Sequence, residues 1–170
     1  GIGTQTARLA NGLGMKVIAT RNSSRKGPDY VDYVGLSGEL HELATQADVI
    51  VNALPLTGAT TGLFDADFFA RMKSTALFIN VGRGGSTVTE DLIAALENGD
   101  IAGAGLDVQD PEPTPADHPL WDAPNLLITP HISSFNGAGQ EARLILFREN
   151  LRRYVSGDKM LSMVDIEKGY

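Results

Sequence analysis

The chain has 170 residues, no cysteine, and 14 lysines and arginines against 21 aspartates and glutamates, a net charge of -7. That length suffices for one domain with its own core, while the acidic balance argues against a broad nucleic-acid surface or docking to an anionic membrane. Thiol catalysis, disulfides and Cys-based metal sites are excluded, no apolar run reaches the roughly 18 residues of a membrane span, and the absence of cysteine fits a reducing, cytoplasmic setting.

In chain order, the residues predict a helix over 4–14, with Ala7, Leu9, Ala10 and Leu13 as packing positions, then a short apolar strand over 15–20. Leu36, Leu40, Leu43 and Ala44 recur at helical spacing and predict a helix over 36–46. A buried strand over 48–54 is stopped by Pro55, and a short helix over 65–72 carries Asp65 and Asp67 in its first turn, as the helix dipole favours. A strand over 76–81 precedes a helix capped by Thr89, with Glu90 and Asp91 in its first turn and Asn98-Gly99 at its end. Residues 101–108 read as a Gly/Ala-rich strand, 126–129 as a last short strand before Pro130, and 139–155 as a long amphipathic helix ending at Gly157. No internal repeat interrupts this order. Four prolines within 110–119 make a rigid, non-helical loop, and so long a loop inside a compact domain points to function.

Strands alternating with helices predict a Rossmann-type α/β fold, a doubly wound parallel sheet in a three-layer α/β/α arrangement. Gly1-Ile2-Gly3 does not fit the first two glycines of a G-x-G-x-x-G fingerprint. The third would fall on Thr6, whose Cβ obstructs close helix–strand packing, and the next strand would arrive about three residues early. Shifted by three, Gly3 becomes the third glycine, and the first strand and two glycines lie upstream. The expectation is an N-terminally incomplete dinucleotide-binding domain over 1–170, missing its first strand, with Gly1, Ile2 and Gly3 beside the cofactor. At the end of the second strand of such a fold an acid selects NAD(H), and an arginine accepts the 2′-phosphate of NADP(H). Here Arg21 stands at that strand end, followed by Asn22, Ser23, Ser24, Arg25 and Lys26, with no acid before Asp29. Arginine forks pair well with phosphate oxygens, so Arg21, Asn22, Ser23 and Arg25 predict NADP(H) over NAD(H).

The later segments carry a family resemblance. Asn52-Ala53-Leu54-Pro55-Leu56-Thr57 with Thr60-Thr61-Gly62-Leu63, then Phe78-Ile79-Asn80-Val81-Gly82-Arg83-Gly84-Gly85, come first. Gly105-Leu106-Asp107-Val108 with Glu112-Pro113 follows, and Pro119-Leu120-Trp121 leads into the segment Thr129-Pro130-His131-Ile132-Ser133-Ser134. In this order and spacing they resemble the D-2-hydroxyacid dehydrogenases, and Val164-Asp165 with Gly169-Tyr170 is similar to a common ending of such chains. The resemblance implies Arg83, Glu112 and His131 as catalytic residues. It implies Leu54, Pro55, Thr60, Val81, Gly82, Arg83, Asp107, His131, Ser133 and Ser134 along the cofactor, Asp107 at the nicotinamide carboxamide. No metal site is implied. A small 2-oxo acid is the implied substrate, a homodimer the implied assembly, and a substrate-binding lobe is absent from this chain. Arg21 at the usual Asp position and Ser133-Ser134, where glycine or alanine is common, depart from the family pattern.

The chemistry suits those residue types. Moving a hydride to C2 of a 2-oxo acid builds negative charge on the carbonyl oxygen, which a proton or fixed cation must meet. Arg83, after a buried strand and between glycines, can clamp a carboxylate bidentately; on sequence alone a surface turn Arg is an equal reading. His131 follows a strand end, where ligands of open α/β sheets bind, and can give or take a proton near neutrality. A carboxylate at Glu112 beside it would favour the imidazolium and fix its tautomer. His41 and His118 read as ordinary helix and loop histidines, and Asp107 also reads as a capping acid. The sequence therefore predicts a nicotinamide-dependent reductase of small 2-oxo acids. The alternatives are a cofactor-sensing, corepressor-like binding protein of the same fold or a phosphite or formate dehydrogenase. Related formate dehydrogenases carry Gln where Glu112 stands, which weighs against that last option.

Overall fold

The computed structural model describes residues 1–134 and 137–166, so the expected ending at Gly169-Tyr170 lies outside the described residues. Among the described residues six short parallel strands are interspersed with helices: α1 (Ile2–Gly12), β1 (Ile18–Arg21), β2 (Tyr33–Leu36), α2 (Leu40–Ala44), β3 (Val49–Asn52), α3 (Ala66–Arg71), β4 (Leu77–Asn80), α4 (Thr89–Asn98), β5 (Gly103–Leu106), β6 (Leu126–Ile128) and α5 (Gly137–Ser156). Among the described residues β1 pairs only with β2, and β3-β4-β5-β6 form a second parallel sheet in that order. Parallel strands joined by helices give the predicted Rossmann-type α/β architecture.

Alternation along β3 to β6 sends Ile50, Phe78, Ala104, Leu106, Leu126 and Ile128 to one face. There α3 and α4 close a core of Phe64, Phe68, Phe69, Met72, Phe78, Leu92, Leu96 and Ile101. Its centre is aromatic: Phe78 meets Phe69 nearly edge-on with ring centroids 5.3 Å apart, and Phe64 meets Phe68 at 4.8 Å. The opposite face carries half-open apolar positions, with Val49, Val51, Leu77 and Leu127 all more than a third exposed.

Local signals act largely as expected. Asp65 caps α3 by accepting the Phe68 amide at 2.9 Å, and Gly99 ends α4 in the left-handed region at φ 72°. Four expectations are corrected. Val88, not Thr89, occupies the cap of α4; the Thr89 hydroxyl instead donates to the Asp110 carbonyl at 2.6 Å, fastening the Pro-rich loop to the helix start. The helix expected over 36–46 begins later, as a 3-10 turn at Ser37–Glu39 followed by α2. β2 was not anticipated at all, because Gly35 weakens its strand pattern. α1 starts at Ile2, and its expected packing positions Leu9 and Leu13 are 59% and 81% exposed, since no sheet face lies against them. A Cβ added at Gly3 likewise meets nothing within 4 Å, so the close strand contact expected there is not made by the described residues. Among the described residues no helix is long and apolar enough to cross a membrane.

Candidate active site

The carboxyl ends of β4, β5 and β6 lie side by side, and each leads directly into a segment carrying a predicted site residue. Their ladders run on past the strands: the Val81 amide donates to Asn52 O, Asp107 to Asn80 O and Thr129 to Leu106 O, at 2.8–3.0 Å. The exits of neighbouring strands are therefore held in register up to the point where Arg83, Asp107 and His131 leave the sheet.

Arg83 sits at the tip of a wedge. A Cβ on Gly82 would lie 2.8 Å from the Leu54 carbonyl oxygen, and one on Gly84 only 1.8 Å from that of Gln109. Both neighbours are backbone, so only glycine lets this turn fit between the exits of β3 and β5. Beneath it lies a buried polar network. Asn52 donates to Asn80 Oδ1 at 2.9 Å and to Ser86 Oγ at 2.8 Å. Asn80 Oδ1 also accepts the Gly82 amide at 2.9 Å, while its Nδ2 donates to Arg83 O at 3.1 Å and to Thr87 Oγ1 at 3.2 Å. Ser86 Oγ donates to Arg83 O at 2.7 Å. Such a network is stabilising only when fully bonded, and no buried polar side-chain atom among the described residues lacks a partner. Above it the Arg83 side chain is exposed, and Nη1 donates back to Gly82 O at 2.8 Å.

His131 is held from two sides. Its Nδ1 lies 2.7 Å from Glu112 Oε1, with both side chains more than a third exposed. Since a carboxylate only accepts, Nδ1 carries the proton shared in this pair. Glu112 stands between two cis peptides, Asp110-Pro111 and Glu112-Pro113. The His131 backbone is in the left-handed region at φ 54°, which a non-glycine residue adopts only under constraint. Asp107 supplies that constraint. Its Oδ1 accepts Thr129 Oγ1 at 2.6 Å and the Ile132 amide at 2.9 Å, and its Oδ2 accepts the Ser133 amide at 2.9 Å. Burial pushes this carboxyl up, but the bonds from Ser133, Thr129 and Ile132 outweigh it and hold it at about 2. Gln109 adds a bond to Thr129 O at 3.2 Å.

The remaining predicted cofactor-side residues fall into four groups. Arg21, Asn22 and Ser23 are exposed at the end of β1, with Arg21 Nη1 folded onto Lys26 O. Leu54, Pro55 and Thr60 form the loop after β3, where the Thr60 hydroxyl staples the loop by donating to Pro55 O at 2.7 Å and accepting the Thr57 amide at 2.8 Å. Ser133 and Ser134 are exposed beyond His131, while Gly1, Ile2 and Gly3 lie exposed at the start of α1. His41 and His118 stand elsewhere: His41 lies 3.5 Å from Asp67 beside Phe68, and His118 Nδ1 accepts the Leu120 amide at 3.2 Å.

The glycine wedge, the paired Glu112 and His131, and the anchored strand exits match a known fold in sequence as well as geometry. Residues 1–133 match the D-isomer specific 2-hydroxyacid dehydrogenase, NAD binding domain. This chain belongs to that family. A human glyoxylate reductase/hydroxypyruvate reductase is 47% identical over 121 residues, covering 71% of this chain and 37% of the relative. The NADPH-dependent glyoxylate/hydroxypyruvate reductase of Sinorhizobium meliloti, in complex with NADP and sulfate, superposes with a TM-score of 0.85 at 32% identity, over 99% of this chain and 54% of that one. A probable 2-hydroxyacid dehydrogenase from Rhizobium etli, in complex with NADP, HEPES and L(+)-tartaric acid, gives 0.86 at 31%, over 99% and 53%. The chain spans about half the length of the curated relatives and solved structures it matches.

The anchoring residues Asn52, Asn80, Ser86 and Gln109 were not singled out from sequence. Their signal was present: Asn52 and Asn80 each end an apolar strand and are direct register partners, and a buried amide at a strand end needs a partner.

Proposed function

We propose that this domain serves a reductase of small 2-oxo acids, glyoxylate or hydroxypyruvate among them, with NADPH as the hydride source. The observation that carries the reading is the 2.7 Å pair of His131 and Glu112 on the strand edge shared with the Arg83 turn. The donor set at the end of β1 fits a 2′-phosphorylated dinucleotide: it offers a guanidinium, an amide and two hydroxyls in Arg21, Asn22, Ser23 and Ser24, with no acid among them. Leu54, Pro55, Val81 and Gly82 would line the dinucleotide along the strand exits. When bound, NADPH supplies the hydride to C2 of the substrate. Arg83 binds the substrate carboxylate and polarises the adjacent carbonyl. His131 Nε2 donates the proton that the carbonyl oxygen takes up, and Glu112 holds the ring and its charge in place. Among the described residues the two sheets share no ladder, and on the family resemblance the fold is proposed to be completed by a further strand between β1 and β3, with a second lobe contributing to the substrate site. A homodimer is proposed on the family resemblance, to be checked by light scattering.

The test is His131→Ala in the full-length enzyme. Turnover of glyoxylate with NADPH should fall about 10²–10⁴-fold, with NADPH affinity changed less than twofold. Retention of more than a tenth of the activity removes His131 from proton transfer and the reading with it.

A further inference from the structure

The loop of residues 21–26 carries two arginines, and the structure gives them different surroundings. Arg25 is forked onto a carboxylate. Its Nη2 lies 2.7 Å from Glu39 Oε2, and its Nη1 donates to Glu39 Oε1 at 3.1 Å and to the Tyr33 hydroxyl at 2.9 Å. Glu39 is itself fixed: Tyr33 donates to Oε1 at 2.5 Å and the Leu36 amide to Oε2 at 2.7 Å. The Tyr33 hydroxyl, the Leu36 amide and Arg25 together hold this carboxyl at about 2, so it is charged throughout the physiological range. Room for the fold-back comes from Gly35, where an added Cβ would stand 3.3 Å from the Glu39 side chain. Tyr33 and Gly35 share a face of β2, so the cluster ties the far end of the loop to the edge strand. Arg21, one strand away at the end of β1, meets no carboxylate among the described residues; its Nη1 is bonded to the Lys26 carbonyl within the same loop.

We infer that Arg25 is a positioning residue, clamped by Glu39 and Tyr33 to fix the 21–26 loop, and that Arg21 with Ser23 and Ser24 reads the 2′-phosphate. A guanidinium forked onto a carboxylate has its charge partly met and its orientation fixed, so it is a weaker partner for a second anion than one with no carboxylate beside it. A loop anchored at both ends loses less freedom when a phosphate binds, and preorganisation of this kind appears as affinity. The inference rests on the NADPH reading above and refines the part attributed to Arg25.

The experiment compares Glu39→Gln, Tyr33→Phe and Arg25→Gln in the full-length enzyme. NADPH and NADH affinities are read by nicotinamide fluorescence at fixed salt. The clamp predicts that Glu39→Gln weakens NADPH about 3–10-fold with NADH unchanged. It also predicts that the Glu39→Gln, Arg25→Gln double variant is no worse than either single one. Tighter NADPH binding by Glu39→Gln would mean that Glu39 competes with the phosphate for Arg25, and overturns the inference. So does an Arg25→Gln loss tenfold beyond that of Glu39→Gln, or an unaltered NADPH to NADH ratio. A wild-type enzyme that prefers NADH fails the cofactor reading separately. The clamp is then judged by trypsin cleavage after Arg21 and Lys26, which Glu39→Gln should accelerate several-fold and which an intact loop would leave unchanged.

Discussion

Replacing Asp107 by Asn tests whether a buried carboxylate builds the His131 segment. Asp107 is 5% exposed and accepts the Thr129 hydroxyl and the amides of Ile132 and Ser133. Asparagine preserves volume and one acceptor. Its amide nitrogen then faces either the Ser133 N–H or the pair at Oδ1, setting donor against donor. A fall from the ordinary 3.8 to about 2 corresponds to about 2–3 kcal/mol of stability at neutral pH. Charge-assisted bonds lost together with a donor clash give a similar figure, so the substitution should cost about 2–4 kcal/mol. The pH dependence follows from the sign. The folded-state pKa lies below the unfolded one, so the stabilisation is complete above about pH 4 and disappears as the pH falls toward 2. Urea denaturation of wild type and Asp107→Asn should therefore differ by a constant amount from pH 5 to 8 and converge below pH 4. Turnover should fall about 10–10²-fold, because a ring displaced by about 1 Å no longer meets the substrate oxygen. A difference below 0.5 kcal/mol at pH 7, or one that persists undiminished at pH 2.5, would refute the anchoring argument.

Glu112→Gln keeps a hydrogen-bond acceptor near His131 Nδ1 but removes the negative charge beside the ring and can turn an N–H donor toward it. Turnover should fall about 10–10²-fold, with melting temperature and NADPH affinity essentially unchanged, as steady-state kinetics beside a binding titration will show. Asn80→Ala leaves Gly82 N, Arg83 O, Asn52 Nδ2 and Thr87 Oγ1 each short of a partner in a buried place. About 3–5 kcal/mol of destabilisation is expected in urea, at roughly 1–3 kcal/mol for each group left wholly unpaired, and a loss under 1 kcal/mol would show that water replaces the side chain.

The sequence was most legible where a residue's job is local. Asp65 at its cap, Gly99 past the end of α4, and the apolar runs of β3, β4 and β5 all act through neighbours in the chain. It was least legible where long-range contacts decide. Thr89 has the chemistry of a cap, but its hydroxyl is claimed by a carbonyl 21 residues away. Gly35 dilutes a strand signal for the sake of Glu39. For the site, the resemblance drew attention to Arg83, Glu112, Asp107 and His131, and the structure brings Glu112 onto His131 and Asp107 beneath it. The two arginines of the 21–26 loop were alike in sequence; only the fold-back of Glu39 separates them.

The arrangement separates chemistry from support. Arg83, Glu112 and His131, the groups proposed to meet the substrate, are exposed. The strand-exit turns that present Arg83 and His131 are each bolted from below by a buried polar side chain, Asn80 under Arg83 and Asp107 under His131, at 0% and 5% exposure. Exposed side chains on loops are ordinarily mobile, and mobility costs catalysis through lost orientation. Here the entropy is removed in the backbone instead: the turn atoms that set each side chain's direction are fixed by hydrogen bonds shielded from water, where such bonds are strongest and their loss most costly. Exchange of the reactive tip and exchange of the bolt should therefore differ in kind. A change at His131 or Glu112 alters turnover and leaves stability alone, whereas a change at Asp107 or Asn80 alters both. That division can hold only if the strand exits, and not the loops, determine where the reacting groups stand.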